Sequence, residues 1–450
     1  MAARVDWLPR HDTDRRILRA ALAATFAGIL VKLAATLKEI TVAGIYGRTD
    51  AMEAFLAAAL IPGLLVNLIA ESMNQALIPT LVRVRETEGR QQAQELLSSA
   101  MFWSCLFLTG SSILMALAAP ISFPLIASHF NPAKLQLAES LFYGMLPIIV
   151  LTGIASNCTA VLNTLDRFAL PALAPVLIPL ATIVGASLLS ARLGIWAMVF
   201  ATSFGALLQA AWMAWMMQAK GYKLRLAPQG MNPAGREVAK QYGPVLLSSV
   251  VASGGLLVDQ SMAASLPAGS VSALAYANRF VSVVITLMAG TVASALTPSF
   301  STMVAHADWA GCKRTIRTWV RILALVTVPI ALGLMLGSRL LIRLAFQHGV
   351  FGPKDTAAVA PVLVMYALQI PFFVCSRVYY RFLLAMRRTD LIFRCGVANL
   401  ALDVVFNLVF MRIFGVAGIA LATSVWTIST LLFLYYWSRR LLAAKTGAAE

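Results

Sequence analysis

Lys32, Lys38 and Glu39 stand together inside one long apolar stretch, and Arg279 stands inside another. An ionised side chain at bilayer depth is costly, so such residues face protein or a water-filled cavity rather than lipid. Lys32 and Glu39 are seven residues apart and share one helix face, whereas Lys38 points to another side. Lys38 and Glu39 are adjacent and partly neutralise each other, which leaves more of the positive character on Lys32. The alternative for this cluster is snorkelling of the long side chains from a helix end. Arg279 lies about two turns into its stretch, and its guanidinium forks onto phosphate or carboxylate. Its structural alternative is an ion pair with Asp259, and the two roles can alternate. Cations in a protein-lined cavity suit an anionic cargo.

A second set of charges is placed for coupling or gating. Arg377 and Arg381 are four apart and stack on one helix face; Arg394 and Asp403 follow in the next apolar stretch. Glu53, Glu71 and Asp259 are the acidic candidates, with a structural hydrogen bond to a neighbouring helix as the alternative for Glu71. Enzyme signatures are poor. Asp12-Thr13-Asp14 matches the DxD of sugar-nucleotide transferases but precedes the first apolar stretch with nothing behind it, and there is no Walker A motif. The four histidines are scattered and the five cysteines form neither a CxxC nor a metal spacing, so no metal or cofactor is expected.

The elements that must position these residues are membrane helices. The chain is 60% hydrophobic and only 12% charged, against about 25% charged in soluble domains. Its mean hydropathy is +0.79. About twelve apolar runs of bilayer-crossing length lie between residues 20 and 437, and their continuity excludes a β-barrel. The net charge of +17 is topological. Of 36 Lys and Arg, 23 fall on the side of the N-terminus and 7 on the opposite side. The positive-inside rule then puts both termini in the cytoplasm of a bacterial inner membrane, and nucleic acid is not a partner.

The expected class is all-α and polytopic, with two six-helix bundles related by a pseudo-twofold along the membrane normal. The expected divisions are a terminus at 1–19, bundles at 20–219 and 241–437, a linker at 220–240 and a tail at 438–450. Internal repetition supports the split. Glu53-Ala-Phe-Leu-Ala-Ala runs on to Pro79 as Ser272-Ala-Leu-Ala-Tyr-Ala runs on to Pro298, at an offset of 219. Leu162-Asn-Thr-Leu-Asp-Arg and Leu384-Ala-Met-Arg-Arg-Thr are offset by 222. Two bundles around a cleft are the architecture of a rocking transporter.

The runs Lys38–Gly47, Asp50–Phe55, Leu162–Ala172, Val258-Asp-Gln, Gly269–Phe280 and Phe346–Phe351 resemble the MurJ/MviN family in the same order. The resemblance implies the multidrug/oligosaccharidyl-lipid/polysaccharide exporter fold and the flipping of undecaprenyl-diphosphate-linked sugars such as lipid II. It implies that Lys32 and Lys38 stand where arginines are usual in a cavity-facing first helix, and Glu39 where an aspartate is usual. Ser272 and Arg279 match the pattern of the eighth. Lysine keeps the charge but loses the bidentate fork, so the geometry at a diphosphate differs. Ser282, and Val66 with Asn67, depart from charged positions of some members, and members usually carry two further spans.

The expected function is a flippase for a lipid-linked oligosaccharide in peptidoglycan or surface-polysaccharide assembly. Substrate-binding residues are Lys32, Lys38, Glu39, Ser272 and Arg279. The driving force is a membrane potential or a monovalent ion, and glycan-synthesis enzymes are candidate partners. The alternatives are a cation-coupled multidrug antiporter of the same fold, a non-transporting scaffold of a glycan-synthesis complex, and a membrane-embedded glycosyltransferase using Asp12 and Asp14.

Overall fold

The structure, a computed structural model, describes residues 12–66, 68, 72–127, 130–165, 169–223, 225 and 233–446. Glu71 lies outside the described residues, as do 1–11 of the expected terminus, 224 and 226–232 of the expected linker, and 447–450 of the expected tail. The side chains of Asp12 and Asp14 are likewise not described.

All regular secondary structure among the described residues is helical. The first half holds α1 (Asp12–Tyr46), α2 (Asp50–Leu65), α3 (Ser72–Thr87), α4 (Arg90–Ile126), α5 (Pro132–Thr164), α6 (Ala169–Leu173), α7 (Leu177–Leu193) and α8 (Trp196–Ala219). The second holds α9 (Pro233–Ala264), α10 (Ser270–Ala305), α11 (Trp309–Leu336), α12 (Ser338–Phe346), α13 (Pro353–Ala367), α14 (Gln369–Ala385), α15 (Thr389–Phe414) and α16 (Val416–Thr446). Among the described residues, nine helical stretches are long and apolar enough to cross a bilayer. The expected count of about twelve is reached if α1, α9 and the segment that holds α2 and α3 also cross. The exposed surface fits that solvent: Leu336 is 88% exposed and Leu325 76%, tolerable only where the surroundings are lipid.

Helix ends show the internal repeat in the backbone itself. Gly194 ends α7 at φ 54°, ψ −133°, and its N–H reaches the Ser190 carbonyl at 2.9 Å. Gly415 ends α15 at φ 57°, ψ −134°, its N–H 3.0 Å from the Met411 carbonyl. The two glycines are 221 residues apart. Positive φ recurs at Gly47 and Gly269, and at Gly89 and Ala307, again close to the offsets of 219 and 222 in the sequence. Within each pair of final helices, small residues let backbones meet: Gly205 of α8 sits against Ile178 and Ala181 of α7, and Gly418 of α16 against Phe410 of α15.

The contacts divide the chain into two compact units. The first comprises residues up to 42, 58–121 and 137–249; the second comprises 43–57, 122–136 and 250 onward. Leu77, Leu81, Leu97, Met101, Cys158, Val161, Met213 and Met217 build a core in the first unit. Phe300, Cys312, Leu323, Val378, Phe382, Cys395 and Leu434 build one in the second. The second unit therefore includes the end of α1, the start of α2, the end of α4 and the start of α5, stretches that the sequence division at 220–240 groups with the first half.

Candidate functional site

In the first unit, α1 turns Phe26, Leu30, Leu33 and Leu37 outward, with Phe26 62% and Leu33 58% exposed. Their spacing of four, three and four marks one lipid-facing stripe. Lys32 and Glu39 lie about a third of a turn from that stripe, Lys32 half-buried and Glu39 buried. Lys38 Nζ meets Glu39 Oε1 at 2.9 Å, the self-neutralising pair expected from their adjacency. The same unit carries a cationic cavity of about 360 Å³ lined by Arg85, Arg90, Leu165, Lys220 and Tyr222. Its arginines have structural work: Arg85 donates to the Thr164 carbonyl and Arg90 to that of Lys220, while Arg90 stacks 5.1 Å from the Tyr222 ring centroid. They satisfy carbonyls at helix C-terminal ends.

In the second unit, Arg279 is half-buried on α10, nine residues from its start, with its Nε enclosed. Ser272 is fully buried and donates to the Gly269 carbonyl at 3.1 Å, so its hydroxyl fixes the first turn of α10. Around that turn runs a polar latch. Glu53 is 1% exposed; its Oε2 takes Lys134 Nζ at 2.5 Å and its Oε1 accepts from Val271 N at 2.9 Å. Lys134 also reaches Asp50 Oδ1 at 2.8 Å and lies 4.0 Å from the Phe130 ring centroid. Arg48 donates to the Gly269 carbonyl at 3.0 Å and pairs with Asp355 at 3.4 Å. Tyr276 donates to the Gly47 carbonyl, and Val350 N to that of Gly44, both at 2.8 Å. The latch thus ties residues 44–53 and 134 to the starts of α10 and α13. Of it, only Glu53 stood out in the sequence; Lys134, Asp50 and Arg48 flank loops, where charges are ordinary.

Farther along the second unit, Asp259 of α9 accepts from Asn407 Nδ2 at 2.8 Å and from Thr423 Oγ1 at 3.2 Å. Asn407 Nδ2 also reaches Asp403 Oδ1 at 3.1 Å. Asp403 Oδ2 and Asn407 Oδ1 are buried with no hydrogen-bond donor. Two carboxylates and orphaned oxygen acceptors in one buried cluster form a ligand set for a hard cation or a proton. Asp259 was legible in the sequence; Asn407 and Thr423 were not, because a neutral amide and a hydroxyl are common in membrane helices. The spacing of four between Asp403 and Asn407 was the available signal. Arg377 and Arg381 share one face of α14 as their spacing predicts. Arg377 stacks 4.1 Å from Phe373, and both guanidinium groups lie 5.6 Å from Tyr380.

Long apolar helices, charges held inside them, a polar latch and a buried acidic cluster define a polytopic membrane transporter. The solved structures agree on the fold. One of the lipid II flippase MurJ in an inward closed conformation superposes with a TM-score of 0.80 at 22% identity, over 94% of this chain and 87% of that one. An inward-facing multidrug resistance MATE family transporter of the MOP superfamily reaches 0.81 at 12% identity, over 96% and 100%. A Synechocystis protein named "Probable lipid II flippase MurJ" is 26% identical over 98% of this chain and 85% of its own. The profile of the family described as "Lipid II flippase MurJ" matches residues 42–449. The chain belongs to the MurJ family.

Proposed function

We propose that this chain flips an undecaprenyl-diphosphate-linked glycan, lipid II or a close relative, from the inner to the outer leaflet of a bacterial inner membrane. It is a transporter rather than an enzyme, works by alternating access with both termini in the cytoplasm, and hands its cargo to glycan-assembling enzymes. The family match over residues 42–449 carries this reading. The chemistry supports it: a diphosphate needs cations in a place where lipid forbids them, and Lys32, Lys38 and Arg279 are such cations. The antiporter alternative shares the fold but leaves these cations without a use.

In the proposed orientation the latch around Glu53 and Lys134 closes the outer side, and release outward requires it to open. Asp259, Asp403, Asn407 and Thr423 hold a monovalent cation or a proton, whose binding favours one state over the other. A membrane potential adds about 2.3 kcal/mol per charge per 100 mV. Expression in bacteria depleted of their own lipid II flippase tests the reading. The wild-type chain should restore growth and exposure of the labelled lipid II headgroup on the outer face, and Arg279→Gln should restore neither. Equal rescue by Arg279→Gln at equal membrane abundance overturns the phosphate role of this arginine.

A further inference from the structure

Five carboxylates serve the whole stretch from 250 to 446: Asp259, Asp308, Asp355, Asp390 and Asp403. Each is engaged. Asp259 and Asp403 bond Asn407, and Asp259 also bonds Thr423. Asp308 caps α11 through Gly311 N at 2.7 Å. Asp355 holds Arg48 and Gly352 N, and Asp390 pairs with Arg388 at 2.9 Å. Arg377 and Arg381 have no ion pair among the described residues, and the Nε of each is buried with no hydrogen-bond partner.

An arginine cannot shed its charge. Leaving a buried charge uncompensated costs more than stacking on aromatic rings returns, since a cation–π contact gives about 0.5–2 kcal/mol. Buried, unpaired charge that a fold does not need for its own stability belongs to function. Both residues are half-buried, and the Nε of each is enclosed. They lie on one stripe of α14, beside the packed stripe of Val374, Val378 and Phe382. Counted at about 1.5 Å per residue, Arg381 lies about 6 Å and Arg377 about 12 Å from the end of α14 at Ala385. Arg387 and Arg388 follow just beyond that end, so cations rise into the helix in steps. Arg279 is elsewhere, about 14 Å from the start of α10, and Arg48 ties the starts of α10 and α13 together.

We infer that Arg377 and Arg381 form a second anion site, for a phosphoryl group of the phosphate or diphosphate kind that membrane lipids carry. Two guanidinium forks one turn apart match the spread of a diphosphate, and Phe373 and Tyr380 hold them in place. The pair would receive the headgroup at the Ala385 end before it meets Arg279. That order of events rests on the flippase reading, whereas the anion site does not.

The test uses the purified full chain in detergent, with inorganic pyrophosphate, undecaprenyl diphosphate and phosphatidylglycerol as probes. Binding and melting temperature are compared for wild type, the double variant Arg377→Gln/Arg381→Gln, and exposed Arg412→Gln as a charge control. Without probe, the double variant should melt at or above the wild-type temperature, because two uncompensated charges are gone. It should bind pyrophosphate and undecaprenyl diphosphate at least about tenfold more weakly, as loss of bidentate contacts requires. Loss confined to phosphatidylglycerol assigns the site to bulk anionic lipid. Unchanged affinity for all three probes overturns the site. If the double variant loses both binding and stability, Arg377→Lys/Arg381→Lys decides: binding that returns with lysine upholds the site, and binding that stays lost makes the arginines structural. Translocation by the wild type is read separately, and its absence beside intact pyrophosphate binding would fail the flippase reading alone.

Discussion

Lys134 sits between Glu53 and Asp50 with only 7% of its surface exposed. Removing one member of a buried ion pair strands the other, whereas removing both is far milder. Lys134→Met should therefore destabilise the protein by about 3 kcal/mol, and adding Glu53→Gln should recover most of that loss. Thermal melting of the two variants checks it; equal losses would mean that the latch does not hold a buried charge. At the acidic cluster, sodium should raise the melting temperature of wild type over choline, through preferential binding to the folded state. The rise should vanish in Asp259→Asn, and its persistence there would remove Asp259 from the ion site. The sequence shows charges such as Lys38, Glu39 and Arg279 because lipid makes them conspicuous. It conceals Lys134, Asn407 and Thr423, whose types are unremarkable at loops and in membrane helices and whose role comes only from tertiary partners.

The glycine caps carry element-scale consequences. At φ near +55° with ψ near −134°, Gly194 and Gly415 occupy backbone space essentially closed to other residues. Alanine at either should cost about 1–3 kcal/mol, and the two losses should be similar because the ends are repeats of one another. Gly349 combines φ +60° with direct contact to the Gly44 carbonyl, so Gly349→Ala should loosen the latch. A thiol reagent applied from outside should then label Ala273→Cys, buried at the start of α10, faster than in the parent; unchanged labelling would leave the latch rigid. The helices themselves were legible from hydropathy, since each crossing needs a long apolar run. Their breaks were not. Helices continue through Pro147, Pro298, Pro329 and Pro361, while α13 gives way to α14 at Leu368. Neighbouring helices can satisfy what a proline frees, so the residue alone does not place the kink.

At the scale of the molecule, the repeat read at offsets of 219 and 222 reappears as paired caps and paired cores, so the architecture was visible before the structure. Less visible was the membership of the second unit. Residues 43–57 and 122–136 join it through contacts such as Glu53 to Val271 and Gly44 to Val350, which depend on close backbone approach rather than on any periodic pattern. These stretches continue helices whose other parts belong to the first unit. The central claim is transport of a lipid-linked diphosphate that depends on Arg279, half-buried inside an apolar helix. Its most direct test is translocation of fluorescent lipid II in proteoliposomes, read as loss of fluorescence to a membrane-impermeant quencher with a potential imposed. The account predicts fast movement with wild type and movement at the protein-free rate with Arg279→Gln. Equal rates for wild type and Arg279→Gln, or no movement above protein-free vesicles for either, would contradict it.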